Sequence, residues 1–282
     1  MSANAPTDES DQTGWATEVS APAIELRSVS FAYPEGQAAL RDVSLAVPAG
    51  ETLGILGANG AGKSTLLLHL NGLLRGAGEV RVGGARLTKS TLADIRARVG
   101  LVFQDSDDQL FMGTVFEDVA FGPRNQGFPE AEVAARVAEA LRVVGLSDAA
   151  GRAPHHLSLG QKRRAALATV LSMDCEVLVL DEPTSGLDPR GRRRLIGYLR
   201  SLPQTRLIAT HDLELALEIC DRVVILEAGR VVAAGRPREV LRDEALMERT
   251  GLEVPPSLRF AIRLTRGREP VADPGLERRT VD

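Results

Sequence analysis

Residues 57–64 carry the first recognisable chemistry: Gly57-Ala58-Asn59-Gly60-Ala61-Gly62-Lys63-Ser64, a glycine, four residues, then Gly-Lys-Ser. Glycines let a short backbone curl until successive N–H groups converge on one anion, as a phosphate requires. Lys63 supplies a charge for the outer phosphates of a nucleotide. Ser64 supplies a hydroxyl for Mg2+, and Thr65 extends the nucleotide-binding stretch. A chance glycine-rich turn would not need its neighbours. This one follows an apolar strand at residues 52–56 and opens a helical run at 64–74, whose positive end faces the same anion.

The second constellation is acidic. Four apolar residues, Val177-Leu178-Val179-Leu180, end in Asp181-Glu182. An aspartate at the tip of a buried strand can hold Mg2+ opposite a phosphate loop. Glu182, one residue on, is placed to polarise an attacking water. A solvated turn would not be preceded by so apolar a run.

The elements that must position these groups alternate. Residues 24–33 and 38–47 read as strands by their period of two. Residues 52–56, 99–103, 177–180 and 207–210 are short continuous apolar runs, as expected of parallel strands covered on both faces. Residues 130–144 and 161–171 have helical periodicity, with Val133, Val137, Ala140, Leu141 and Val144 on one stripe. Residues 222–226 and 230–234 form a hairpin. Strands alternating with helices predict an α/β fold with a largely parallel sheet.

Leu157-Ser158-Leu159-Gly160-Gln161, just ahead of the acidic strand, resembles the signature sequence of ATP-binding cassette (ABC) proteins. The remaining motifs follow in that family's order over residues 24–240. Tyr33 stands where the family places an aromatic for adenine. Gln104 matches its Gln loop and would share Mg2+ with Ser64 and Asp181, partly through water. Asp188 in Ser185-Gly186-Leu187-Asp188 matches the dimer loop, and His211 the switch histidine. The resemblance implies an α/β phosphate-loop core (residues 23–240) with an antiparallel β subdomain and a helical subdomain at about 105–170. It implies an ATPase using ATP and Mg2+, with Glu182, His211 and Gln104 catalytic. Two chains would close head to tail, Ser158, Leu159, Gly160 and Gln161 of one gripping the nucleotide of the other. The family usually has Gly where Leu159 stands, and Leu adopts positive φ with difficulty.

Composition sets the surroundings. Of 282 residues 44% are hydrophobic and 26% charged, as in ordinary globular proteins. The net charge of −4 comes from the first 22 residues, which hold Asp8, Glu9, Asp11 and Glu18 and no base. Removing those four from 38 acids leaves 34, equal to the 34 bases. That gives no electrostatic case for nucleic acid. Residues 1–22 and 266–282 read as disordered tails, and 241–265 as a C-terminal extension with an apolar pattern at Leu252, Val254, Leu258, Ile262 and Leu264. Cys175 and Cys220 are too few for a disulfide scaffold and read as buried thiols of a reducing compartment. No apolar run reaches the length of a membrane span, so a membrane role must come through a partner. His69 reads as structural, His155 and His156 as surface residues. Residues 162–164 and 192–194, rich in Lys and Arg, read as solvated helix faces.

The stretch from Gln104 through Asp105, Ser106, Asp107, Asp108, Leu110 and Phe111 to Val115–Pro123 looks like the ATPases of energy-coupling-factor importers, including the cobalt and nickel branch. The resemblance implies a transmembrane coupling subunit docked on this loop, acids facing its basic residues and Leu110 and Phe111 as apolar anchors. It also implies a substrate-binding membrane subunit, and pairing with itself or with a second cassette. The subunit would sit peripherally on the cytoplasmic face of the membrane. The cargo would be a micronutrient, cobalt or another transition metal ion, with a vitamin as the alternative. Rival readings are another ABC transporter, a soluble cassette acting on DNA or ribosomes, which usually carries a long coiled coil or a fused second cassette, and a phosphate-loop kinase. The kinase would not explain Ser158–Gln161 or His211.

Overall fold

Alternating apolar residues build two antiparallel strands, β1 (Ile24–Ala32) and β2 (Ala38–Val47), with Ile24, Leu26, Val29, Leu40, Val43 and Val47 buried on one face. The turn between them closes through the Tyr33 N–H donating to the Gln37 carbonyl at 3.0 Å. The computed structural model describes residues 21–259. The expected disordered tails, but for residues 21 and 22, lie outside the described residues, as do Ile262 and Leu264.

β3 (Thr52–Leu56) is buried at all five positions and feeds the glycine-rich loop into α1 (Lys63–Leu70). The helix stops four residues before the periodicity predicts, because Asn71 caps it and Gly72 turns left-handed at φ +70°. β4 (Ala77–Val82) and β5 (Ala85–Arg86) complete a sheet in the order β2-β1-β4-β5. α2 (Leu92–Arg98) then leads into β6 (Val99–Val102).

A helical layer follows: α3 (Val115–Asn125), α4 (Glu130–Val143) and α5 (Leu159–Leu171). Val115, Val119, Val133, Val137, Leu141 and Leu167 pack in one cluster between them. The chain then alternates through β7 (Val177–Asp181), α6 (Pro189–Ser201), β8 (Thr205–Thr210), α7 (Leu213–Ile219) and β9 (Arg222–Glu227). β10 (Arg230–Gly235), α8 (Pro237–Val240) and α9 (Glu244–Arg249) follow. Val254 and Leu258 of the C-terminal segment pack with Met247, Leu213 and Ile225. Among the described residues no helix is long and apolar enough to cross a membrane.

The second sheet has the order β10-β9-β3-β8-β7-β6, parallel except for β10. Its register decides where function can sit. Leu56 lies opposite Thr210, Ala209 opposite Asp181, and Leu180 opposite Val102. Gly57, Glu182, His211 and Gln104 therefore leave their strands along one edge, the carboxyl edge at which open α/β sheets bind ligands.

Candidate functional site

Two glycines make the loop possible. Gly57 has φ +152°, and a Cβ there would lie 2.4 Å from the Leu226 carbonyl oxygen. Gly62 has φ +106°, and its Cβ would lie 2.4 Å from the Ala39 carbonyl oxygen. The loop's lysine is buried at 7% exposure and donates from Nζ to the carbonyls of Gly57 (2.8 Å) and Ala58 (3.2 Å). Burial pulls the Lys63 pKa down, and the nearby charges of Glu182 and Asp181 push it back. An ammonium held only by neutral carbonyls is ready to trade them for phosphate oxygens. Tyr33 bonds to the Thr65 hydroxyl at 3.0 Å and rests edge-on against Phe31. His69 is buried, with Nδ1 2.7 Å from the Thr65 carbonyl, in keeping with a structural role.

The acidic pair divides its surroundings unequally. Asp181 is buried and keeps its Oδ1 buried with no hydrogen-bond partner. Burial is the main cause that raises its pKa, and Ser64 lies close enough for its hydroxyl to oppose that rise. An unpartnered buried acceptor beside a serine hydroxyl could hold a divalent cation together with phosphate oxygens. Glu182 has left-handed backbone, φ +45°, fixed by its N–H donating to the Ala209 carbonyl at 2.9 Å. Its carboxylate accepts from the Thr210 hydroxyl (3.0 Å) and from the His211 N–H (3.0 Å), with His211 Nδ1 at 2.8 Å. The end of β8 thus aims the carboxylate, and strained backbone at such a position costs on the order of 1–3 kcal/mol. Thr210 was not singled out from sequence. Its signal was a polar residue closing an apolar strand.

Tyr33, Asn59, Gly60, Gly62, Lys63, Ser64, Thr65, Gln104, Asp181, Glu182 and His211 line one cleft of about 360 Å³. Gln37, Ala38 and Ala39 join them, and sequence reasoning missed all three. Ala58 is exposed at the loop, while Gly57 and Ala61 are buried behind it.

Ser158, Leu159 and Gly160 do not line that cleft. They line a second one of about 310 Å³ with Gly186, Leu187 and Asp188. Ser158 and Gln161 cap α5 reciprocally, the Ser158 Oγ accepting from the Gln161 N–H (3.3 Å) and the Gln161 Oε1 from the Ser158 N–H (2.9 Å). This box starts the helix two residues earlier than its periodicity suggests. Leu159 is its first residue and has no positive φ, so the expected conflict does not arise. It is 46% exposed and lies over Gly186, where an added Cβ would come within 2.9 Å of its Cδ2. Asp188 caps α6 by accepting from the Gly191 N–H.

Several surface expectations fail. Arg163 is buried, and Arg164 gives its guanidinium to the carbonyls of Val144 (2.7 Å), Gly145 (2.9 Å) and Gly160 (3.2 Å). Lys162 pairs with Asp107 at 2.6 Å. Arg163 and Arg164 turn inward because loop carbonyls there need donors, while Lys162 makes its ion pair at the surface. Arg192 likewise turns to Asp212 and Glu218, both at 3.1 Å, while Leu195, Ile196 and Leu199 bury the other face of α6. In the acidic loop Asp105 accepts from the Asp107 N–H at 2.9 Å, and Ser106 is buried. Leu110, expected as an exposed anchor, is buried in the helical core. Phe111 is 61% exposed and stacks edge-to-face on exposed Phe121 at 5.2 Å. Buried Asp118 holds that turn by accepting from the N–H groups of Phe111 and Met112, both at 2.9 Å. His155 and His156 are exposed, as expected. Both cysteines are free, and burial pushes each thiol up to about 12.

Comparison with known proteins meets this geometry. The family model described as ABC transporter matches residues 40–185. A cobalt import ATP-binding protein, CbiO, of Rhodobacter capsulatus is 50% identical over 253 residues, covering 88% of this chain and 90% of that one. The energy-coupling factor transporter ATP-binding protein EcfA of Methanothermobacter thermautotrophicus is 50% identical over 238 residues, covering 82% and 76%. Among solved structures, cbiO1 of Clostridium perfringens, part of a cbiONQ transporter complex, superposes with TM-score 0.73 at 35% identity, covering 86% and 99%. A dimeric ATP-binding cassette in a post-hydrolysis state with ADP and Pi superposes with TM-score 0.69 at 28% identity, covering 76% and 98%. A phosphate loop, an acidic strand end and a capped signature helix in this order, on this sheet, with these relatives, place the chain in the ABC transporter family of ATPases.

Proposed function

We propose that this chain is the ATP-hydrolysing subunit of an energy-coupling-factor importer, working as one of a pair of cassettes. One observation carries the reading. The phosphate loop and Ser158–Gly160 line different clefts of the same chain. Each chain then holds half of two sites, and two chains placed head to tail, either two copies or this chain and a second cassette, complete both.

Within a completed site, Lys63 leaves the Gly57 and Ala58 carbonyls for the outer phosphates. The unpartnered Oδ1 of Asp181, with Ser64 and Gln104, fits Mg2+. When bound, it would supply positive charge against the negative charge that develops on the transferring phosphate. Glu182, held by Thr210 and His211, orients the attacking water and takes its proton. Tyr33 offers its ring to the adenine. Ser158 and the N-terminus of α5 address the partner's γ-phosphate, and Asp188 fixes the loop beside it.

The membrane-facing surface is the turn around Phe111 and Phe121. Exposed paired aromatics suit an apolar helix of a transmembrane coupling subunit. Asp105 is engaged by the Asp107 N–H and Asp107 by Lys162, which leaves Asp108 as the acid for a basic residue on that helix. The subunit then sits on the cytoplasmic face of the membrane, beside a substrate-binding membrane subunit. The names of its relatives support cobalt or another transition metal ion as cargo, with a vitamin as the alternative.

The test is Glu182→Gln. It keeps nucleotide binding, lowers turnover by about 100-fold or more, as loss of a general base does, and accumulates an ATP-bound dimer on size-exclusion chromatography. Near-normal steady-state hydrolysis would refute the reading.

A further inference from the structure

Arg163 is a costly residue where it stands. It lies on the second turn of α5 at 8% exposure, with Nε buried and without a partner. Its Nη1 donates to the carbonyl of Gln104, and its Nη2 points to the carbonyl of Ser185 at 3.5 Å. Among the described residues no carboxylate pairs with it directly, although the charges of Asp105, Asp181 and Glu182 act on it. A buried guanidinium served by two carbonyls and one orphaned N–H repays its desolvation poorly, and an apolar side chain of similar volume often does no worse.

What the guanidinium joins is more informative. Gln104 lines the nucleotide cleft, and Ser185 precedes Gly186, which lies under Leu159. Ser158 caps the helix that carries Arg163, so the backbone of Arg163 stands about 7.5 Å along a rigid rod from the signature serine. A second clamp runs beside it. The Gln109 side chain accepts from the Phe103 N–H (3.1 Å) and donates to the Ala166 carbonyl (3.0 Å) and Thr169 hydroxyl (2.7 Å) of α5. Gln109 ties the residue after β6 to α5. Among the described residues, Arg163 supplies the hydrogen bonds that join α5 to both Gln104 and Ser185.

We infer that Arg163 is a positioning residue for hydrolysis: its planar fork carries displacement of the signature helix, when Ser158 engages the partner's nucleotide, to Gln104 in this chain's own site and to the loop at Ser185. Each site thereby senses closure of the other. A guanidinium suits the task because its donors lie in one rigid plane and can serve two carbonyls at once, which an ammonium on a flexible stem does not reproduce. The inference rests on the assignment of Gln104 and Ser158 proposed above.

The test uses the full chain with Arg163→Met and Arg163→Lys, each with Glu182 in place and with Glu182→Gln. With Glu182 in place, both variants should bind a fluorescent ATP analogue within about threefold of the parent, and kcat should fall about tenfold or more, the pattern of an interaction needed after binding. With Glu182→Gln, ATP should still drive dimer formation within about twofold of the parent, because the coupling acts after closure. A merely structural role predicts otherwise: a loosened α5 would lose the dimer and turnover together. That result, or parental kcat in both variants, overturns the inference. If Arg163→Met does not fold, Arg163→Lys decides by the same criteria. Failure of the underlying assignment looks different: Gln104→Ala and Ser158→Ala would then keep parental kcat, and the inference would fall with it.

Discussion

The nucleotide cleft and the signature face are built on opposite principles. In the cleft, Lys63, Asp181 and Glu182 are all buried, and sheet register brings their strand ends together. Three interactions hold the Glu182 carboxylate before any ligand arrives. At the signature face, Ser158, Leu159 and Asp188 are exposed, and the serine and the aspartate are held mainly by the helix ends they cap. Preorganised buried polar groups suit charge that develops in a transition state. Exposed helix N-termini suit an anion delivered from outside. On the proposed function one region serves the chemistry and the other reaches into a neighbour, and substitutions should separate them.

Asp181→Asn should have the largest effect and test the first half. Turnover falls by about 100-fold or more, as when a group that stabilises transferring phosphate is lost. The nucleotide-free protein, by contrast, becomes more stable at neutral pH. The sign follows from the raised pKa of Asp181. The native state binds that proton more readily than the unfolded chain, so stability falls as pH rises through the window above the ordinary aspartate value. The asparagine lacks this loss, so its thermal midpoint advantage should shrink as pH drops through that window. An advantage that stays constant with pH would place the cost of Asp181 elsewhere.

Phe111→Asp should act on neither cleft. Soluble ATPase activity stays within about twofold, while the variant no longer co-purifies with its membrane partner, since a charge replaces an aromatic anchor at an interface. Retained co-purification and uptake would move the docking surface elsewhere. Leu159→Gly should have the smallest effect. Leu159 is exposed and without backbone strain, so turnover should hold or rise, with a stability cost of about 1 kcal/mol at most for glycine in a helix. A collapse of activity would make the contact over Gly186 part of the machinery and blur the comparison.

Sequence was most readable where a local pattern sufficed. Residues 52–56 and 38–47 form strands with the predicted bounds, because burial and alternation leave a one-dimensional trace. The phosphate loop declared itself through glycines whose missing Cβ atoms the fold requires. What stayed hidden depends on distant partners. Arg163 looked solvated because nothing in a basic triplet says which base turns inward, and its acceptors lie 59 and 22 residues away. Thr210 acquires its partner 28 residues upstream. Leu110 looked like an anchor beside acids, yet its burial is set by helices that close over it later in the chain. α3 leaves a weak trace in sequence because Gly122 and Pro123 interrupt its apolar period, although Thr114 caps the helix and Pro123 is buried within it.

The two thiols have a practical reading. Cys175 is buried behind Gly100, and Cys220, expected to be buried, is part-buried against Gly54; desolvation raises the pKa of both thiols. At neutral pH the raised pKa keeps both thiols from the thiolate form that alkylating reagents need. The chain is in effect its own cysteine-silent background. A single cysteine introduced at an exposed position beside the signature cleft, such as Arg190, would be the reactive one, so a dye there could follow closure of the pair with both native cysteines left in place.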